Sequence, residues 1–272
     1  MAPISWTALP DRLFSLFHLL FLLALVTRVH GANWNTNVRI LATERLDPIV
    51  SPNGVASHMH SIMGGSAFGA AYNQGDLMKS RCSSFPISVD KSNYWHPKPY
   101  WINGNGSTFT PLPIFNRIYY IRERNSPQEP IQPFPEGLRM IVGNPNSKTA
   151  DSRSFQYLCR VADKFNGPGD IWSDHWNFER DCPKGILAQH KFPPCWDGIN
   201  LYKSDQSHMA YPQWGAHYGA CPASHPIRLP GIMLEVLIQT YMWAPGETVK
   251  GKLAWANGDT TGFGIHADFT NG

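Results

Sequence analysis

Apolar and polar residues change places along this chain in short bursts rather than in long helical stripes. Segments 37–41, 117–121, 138–142, 155–161, 232–241 and 263–269 are rich in β-branched, aromatic or alternating residues, the pattern of strands. Turn-forming groups separate them, among them Ser51-Pro52-Asn53-Gly54, Asn103-Gly104-Asn105-Gly106, Asn166-Gly167-Pro168-Gly169 and Asn257-Gly258-Asp259. Beyond the leader described next, no stretch of about a dozen residues keeps a 3.6-residue apolar period. The nearest helix candidate is the short segment 75–81. The expected fold class is mainly β, a single β-sandwich or jelly-roll-like domain with long loops and little helix.

One continuous apolar run breaks this pattern. Residues 13–26 follow Arg12 and have the length of a secretory h-region, too short to span a bilayer comfortably. Val29 and Gly31 stand where small residues precede signal-peptidase cleavage, so residues 1–31 read as a signal peptide and the mature chain starts near Ala32. Residues 32–44 then form an N-terminal segment and 45–272 a single domain. The Pro-rich stretch 126–135 reads as a rigid surface loop, because the pieces on either side are too small for two cores. No later segment has the apolar length of a membrane helix, so the expected location is secreted, extracellular or in a cell wall.

Composition and charge narrow the partners. With 23 Gly and 23 Pro the chain suits a loop-rich secreted domain, and its net charge of +3 falls to +2 once Asp11, Arg12 and Arg28 leave with the leader. No basic block remains, which excludes a nucleic-acid partner and an anionic membrane surface. Five cysteines, Cys82, Cys159, Cys182, Cys195 and Cys221, match no zinc spacing and will meet an oxidising compartment. Pairing Cys159 with Cys182 and Cys195 with Cys221 closes loops of about 25 residues, each worth about 3 kcal/mol in the chain-entropy picture. Cys82 is then left over, as a buried free thiol or in an intermolecular bridge. Asn105-Gly106-Ser107 is a glycosylation sequon in a turn-rich context, so Asn105 is expected to carry a glycan.

Candidate chemistry lies at the two ends of the chain. His58-Met59-His60 and His266-Ala267-Asp268 are i,i+2 couples, and in an extended strand each presents two polar groups on one face. If the fold joins them they make a metal site or an acid/base site; otherwise they pin neighbouring loops by hydrogen bonds. His208, three residues after Asp205, adds a third candidate proton carrier. His-x-Asp with a distant His is also the ligand set of facial-triad iron oxygenases, but no 2-oxoacid site accompanies it, and zinc, calcium or no metal suits these groups better. No cofactor is required by the sequence, and a divalent metal is left open. The aromatic clusters around Trp95 and Trp101 serve either to stack on sugar rings or to fill a β core.

Six motifs in order carry a resemblance. They are Arg45-Leu46-Asp47-Pro48-Ile49-Val50 leading to Ser57-His58-Met59-His60; Asp90-Lys91-Ser92-Asn93-Tyr94-Trp95; Phe192-Pro193 with Cys195-Trp196-Asp197-Gly198; Ser207-His208-Met209-Ala210-Tyr211-Pro212; Cys221-Pro222 with His225-Pro226; and Asn257-Gly258-Asp259 running to Phe269. Over residues 45–271 the chain resembles the secreted fungal proteins of domain-of-unknown-function family 1996. The resemblance implies a filamentous-fungal source and a polysaccharide setting, since members often carry cell-wall or carbohydrate-binding modules. Such proteins usually have a second Cys near the position of Phe85 and an extra His beside Asp205, where this chain has Gln206. They also continue past the position of Gly272 into a Trp-containing segment, so the chain reads as one that stops short of its relatives' last strand. The resulting expectation is a secreted protein acting on cell-wall or plant polysaccharide, cleaving glycosidic bonds with His58, His60, His208, His266 and Asp268. Trp95, Trp101 and Asp47 are the expected substrate contacts. The competing expectation is a non-catalytic wall or carbohydrate-binding protein in which the same motifs are structural.

Overall fold

The computed structural model describes residues 33–104 and 106–272; the expected signal peptide and the Asn105 glycosylation site lie outside the described residues. Strands β1 (Trp34–Val38), β2 (Ala42–Glu44) and β3 (His60–Gly64) precede a single helical turn, α1 (Gln74–Leu77). Strands β4 (Asn93–Pro97), β5 (Pro99–Ile102), β6 (Phe109–Pro111), β7 (Ile114–Ile121) and β8 (Arg139–Gly143) follow. The second half carries β9 (Phe155–Cys159), β10 (Ile171–Ser173), β11 (Ile186–Phe192), β12 (Cys195–Trp196), β13 (Met209–Ala210) and β14 (Ile227–Arg228). It closes with β15 (Gly231–Ile238), the turn α2 (Thr240–Trp243), β16 (Leu253–Trp255) and β17 (His266–Thr270).

These strands form antiparallel sheets in the orders β1-β7-β15-β11-β9-β10 and β2-β3-β4-β17-β8, with two smaller sheets, β13-β12-β14 and β16-β5-β6. Period-two alternation explains how the large sheets pack. Ile232, Leu234, Val236 and Ile238 of β15, with Ile186, Ala188 and Phe192 of β11, turn one face of the six-stranded sheet into the main core. Met63, Tyr94, Met140, Val142, Ala267 and Phe269 supply the facing side from the five-stranded sheet and belong to the same buried cluster. The architecture is mainly β and sandwich-like, with one core between two sheets.

Several expectations shift at their edges. The first strand ends at Val38 rather than running 37–41, and β9 ends at Cys159, where the chain turns away. The segment before His266 is a glycine-rich turn instead of strand, and the helix expected at 75–81 is one turn. Cys159 pairs with Cys182 and Cys195 with Cys221, at Cα separations of 5.2 and 5.6 Å. Cys82 is free but exposed, not buried. Its backbone is tied to Ser66 in both directions, by Cys82 N–H to Ser66 Oγ and by Ser66 N–H to the Cys82 carbonyl, which holds the side chain outward. The inward place is taken by Phe85, which is buried against Tyr94 at a ring separation of 5.5 Å.

Candidate functional site: three histidines and two carboxyls at a cleft

The outer face of the five-stranded sheet builds the site. One cross-strand row reads Ala42, Ile62, Trp95, Asp268 and Ile141 on β2, β3, β4, β17 and β8. Two residues along, and therefore on the same face, stand His60 of β3, Pro97 of β4, His266 of β17 and Gly143 of β8. Gly143 has φ +80°, and a side chain there would meet the Ile265 carbonyl at 2.2 Å. Only glycine lets β8 approach His266 this closely.

His58 is not on the strand with His60; it lies in the bend before β3, yet the two rings still meet, with centroids 4.3 Å apart. The bend is delivered by the loop 46–57. Asp47 Oδ1 accepts the Ile49 and Val50 N–H groups at 3.0 and 2.9 Å, a local turn that is closed at its base by Arg45 Nε donating to the Ala56 carbonyl at 2.7 Å. On the far side, the Asp259 carboxylate accepts the N–H groups of Thr261, Gly262 and Gly264 and shapes the turn that leads into His266. Asp259, one of the aspartates that stand out in the sequence, is thus spent on the backbone.

His58, His60 and His266 offer ring nitrogens that all lie within 4.8 Å of one another, the cluster of potential metal ligands found among the described residues. His58 Nε2 is 3.1 Å from His266 Nε2. The opposite nitrogens are held: His60 Nδ1 donates to the Leu46 carbonyl at 2.9 Å, His266 Nδ1 to the Gly264 carbonyl at 3.3 Å, and His58 Nδ1 meets Ser57 Oγ at 2.9 Å. A carbonyl only accepts, so His60 and His266 carry their protons on Nδ1 and turn bare Nε2 lone pairs toward each other's neighbourhood. His60 Nε2 is buried with no hydrogen-bond partner. Burial, reinforced by the neighbouring imidazoles, lowers both His60 and His266 to about 3, and burial together with Arg45 lowers His58. At neutral pH all three rings are uncharged.

Asp268 lies within the same sheet face with both carboxyl oxygens buried and unpartnered. Burial first, and then the charge of Asp47, holds it well above the usual carboxylate range. Burial also raises Asp47, against the pull of its two backbone donors. His58, His266, Asp268 and Asp47 line a cleft of about 770 Å³, and His60 approaches the cluster from beneath it. The rim is polar, with Asn144, Asn146, Ser204, Gln206 and Asn257 among the lining side chains.

The remaining expected site residues are elsewhere. His208 is fully buried, does not line the cleft, and donates through Nε2 to the Arg139 carbonyl at 2.8 Å, so it fastens its loop to β8. Trp95 and Trp101, the expected substrate contacts, do not line the cleft and are 0% and 5% exposed. Trp95 lies under Phe68 and Ile49, which cover the outer face of β4, and Trp101 faces the main core. Gln206, standing where the resemblance places an extra His, lines the cleft and accepts the Ile141 N–H at 2.8 Å. The carbonyls of Leu46 and Gly264, which orient two of the histidines, carry no side-chain signal and could not have been found by residue type.

The family described as Domain of unknown function (DUF1996) matches residues 47–272, most of the chain and all the histidines and carboxyls of the site. The chain belongs to the DUF1996 family. No curated protein and no solved structure matches it. Within this DUF1996 domain the match begins at Asp47, the first of the cleft carboxyls, and includes every residue of the histidine cluster. Among the described residues no helix is long and apolar enough to cross a membrane.

Proposed function

We propose that this DUF1996 protein is secreted and acts as an enzyme on a cell-wall or plant polysaccharide, breaking glycosidic bonds in the cleft by proton transfer. One observation carries the reading: groups from opposite ends of the chain, His58, His60, His266 and Asp268, converge at the floor of an open cleft that also holds Asp47. Both Asp268 oxygens and His60 Nε2 are buried at this cluster without a protein partner. A cleft volume of about 770 Å³ suits a ligand of several rings, and its amide and hydroxyl rim suits a substrate made of hydroxyl groups. Two disulfides, the apolar leader and the sequon support passage through a secretory pathway.

In this reading Asp268 donates its proton to the glycosidic oxygen as the bond to the sugar carbon breaks. The histidine side of the cleft supplies the opposing base: a proton is taken from water that adds to the sugar carbon, or from a ring C–H in an elimination. Wall glycans incubated with purified protein test it, with reducing ends and unsaturated products measured for wild type and His58→Ala. Product formed by wild type and lost in the variant is the expected result. Glycan retained by both proteins with no product formed would replace the enzyme with a carbohydrate-binding protein.

A further inference from the structure

We propose that His58, His60 and His266 bind a divalent transition-metal ion of the zinc class through their Nε2 atoms, with the next coordination position open to the cleft. The inference takes the cleft as the working site, as above, but it is carried by the imidazole geometry alone.

The proton inventory of the cluster leads to the metal. His60 and His266 each give their single ring proton to a backbone carbonyl, so neither Nε2 can donate. Without an ion, the most that hydrogen bonding can arrange is His58 Nε2–H donating to His266 Nε2. That leaves His60 Nε2 buried and orphaned, as it is found. A buried acceptor without a donor is unfavourable, and it has no room to turn because its ring is fixed from the Nδ1 side. A cation at the shared point satisfies all three lone pairs at once. It also releases the His58 proton to Nδ1, which already has Ser57 Oγ at 2.9 Å to receive it.

The His58–His266 separation matches a bound ion, and His60 completes a set whose ligand atoms all lie within 4.8 Å of one another. Two imidazoles bound to zinc at about 2.0–2.1 Å, at angles between a right angle and the tetrahedral value, hold their nitrogens about 2.9–3.4 Å apart. The His58 and His266 nitrogens are 3.1 Å apart. Every ligating ring then has its other nitrogen held by Leu46 O, Gly264 O or Ser57 Oγ, the outer arrangement that orients metal-bound histidines. Three neutral nitrogens select a borderline transition metal over calcium or magnesium, which require oxygen ligands. Asp268 is outside the converging set of ligand atoms, so its carboxyl is placed to hydrogen-bond a water or substrate oxygen on the open position.

The test is metal binding by the folded, chelator-treated full chain, with no glycan present. Titration with Zn²⁺ by calorimetry, and with Co²⁺ by visible absorption, should give one equivalent per chain and the intense absorption of a low-coordinate cobalt–imidazole site. His58→Ala, whose side chain is half-buried and lies in a bend, and His266→Gln should each weaken binding on the order of 100-fold or more. Asp268→Asn should keep the stoichiometry, and Cys82→Ser controls for the exposed thiol. Wild type that binds no ion, or binding unchanged in both histidine variants with circular dichroism intact, overturns the proposal. The outcomes separate it from the functional reading: an ion bound with no glycan turned over removes the polysaccharide enzyme and keeps the metal centre. Glycan turned over by a wild-type chain that binds no ion does the reverse.

Discussion

His58 and His266 are separated by 208 positions in sequence and by 3.1 Å between their Nε2 atoms. They differ in what else they do: His266 is a fully strand-held residue of β17, whereas His58 sits half-buried in a bend. His58→Ala is therefore the clean probe of activity. Turnover should fall about 100-fold or more, the range for loss of a group in general acid–base or metal chemistry, while the melting temperature changes by little. His60→Ala is a poorer probe, because its ring is wholly buried and donates to Leu46; it should lose about 1–3 kcal/mol of stability as well as activity. Denaturant melts run beside turnover assays separate the two variants. Equal stability loss in both would refute the distinction drawn from burial.

Asp268→Asn should divide stability from catalysis. Asp268 has its folded-state pKa raised by burial, so the folded chain binds more protons than the unfolded one once pH passes the unfolded value. The stability it contributes is complete below that value and is lost as pH rises toward its folded value. In chelator-treated protein at pH 7, the Asn variant should be at least as stable as wild type, and its turnover should fall about 100-fold. Activity within a factor of a few of wild type removes Asp268 from the proton pathway.

Gly143→Ala is expected to disturb the site without touching any of its polar groups. A methyl group at φ +80° would sit 2.2 Å from the Ile265 carbonyl and 2.9 Å from His266 Cα, so β8 must shift away from β17. Stability should fall by more than about 1 kcal/mol, and zinc affinity should fall with it. Calorimetry and thermal melts read both. An unchanged variant would show that β8 has slack at this row.

Acid should destabilise the fold through a histidine remote from the cleft. His217 donates from Nε2 to the Phe192 carbonyl, and burial, with the charges of Lys191 and Arg228, lowers it from 6.5 to about 4 despite its backbone carbonyl contacts. The unfolded chain takes up this proton first, so stability is complete above pH 6.5 and declines between 6.5 and 4. The His217 share of that decline is about 3 kcal/mol. His217→Gln, whose amide can still donate to Phe192, should flatten the stability–pH slope by close to one proton. Identical slopes would assign the acid sensitivity to other groups.

The thiol inventory is the simplest expectation. Native protein should show a single reactive thiol, Cys82, and non-reducing peptide maps should return Cys159 with Cys182 and Cys195 with Cys221. Any bridge that includes Cys82 contradicts the arrangement. Opening the Cys195–Cys221 bridge should cost about 3 kcal/mol of stability.

The strands and the two histidine couples could be read from residue order, because both depend on local backbone geometry. Ile232, Leu234, Val236 and Ile238 are alternate residues, and their common inward face follows from the two-residue period of any strand. The His266-Ala267-Asp268 couple shares a face for the same reason. Trp95 shows where such reasoning ends. Alternation says that one face of β4 points outward, but burial on that side is imposed by Phe68 and Ile49, which arrive from other loops. His208 was drawn away in the same manner by the Arg139 carbonyl.

Residue types and spacing alone determined that this chain is mainly β, carries two disulfide-sized cysteine loops and holds two polar couples each able to present a pair of ligands. They could not determine that the couples meet, because β3 and β17 are brought to either side of β4 by strand order, and that order is settled by which faces bury the most apolar surface across the whole sandwich. Nor could they reveal the backbone carbonyls of Leu46 and Gly264 that choose each histidine tautomer, since a carbonyl is present at every residue and only the folded path of the chain decides which ones face a ring nitrogen.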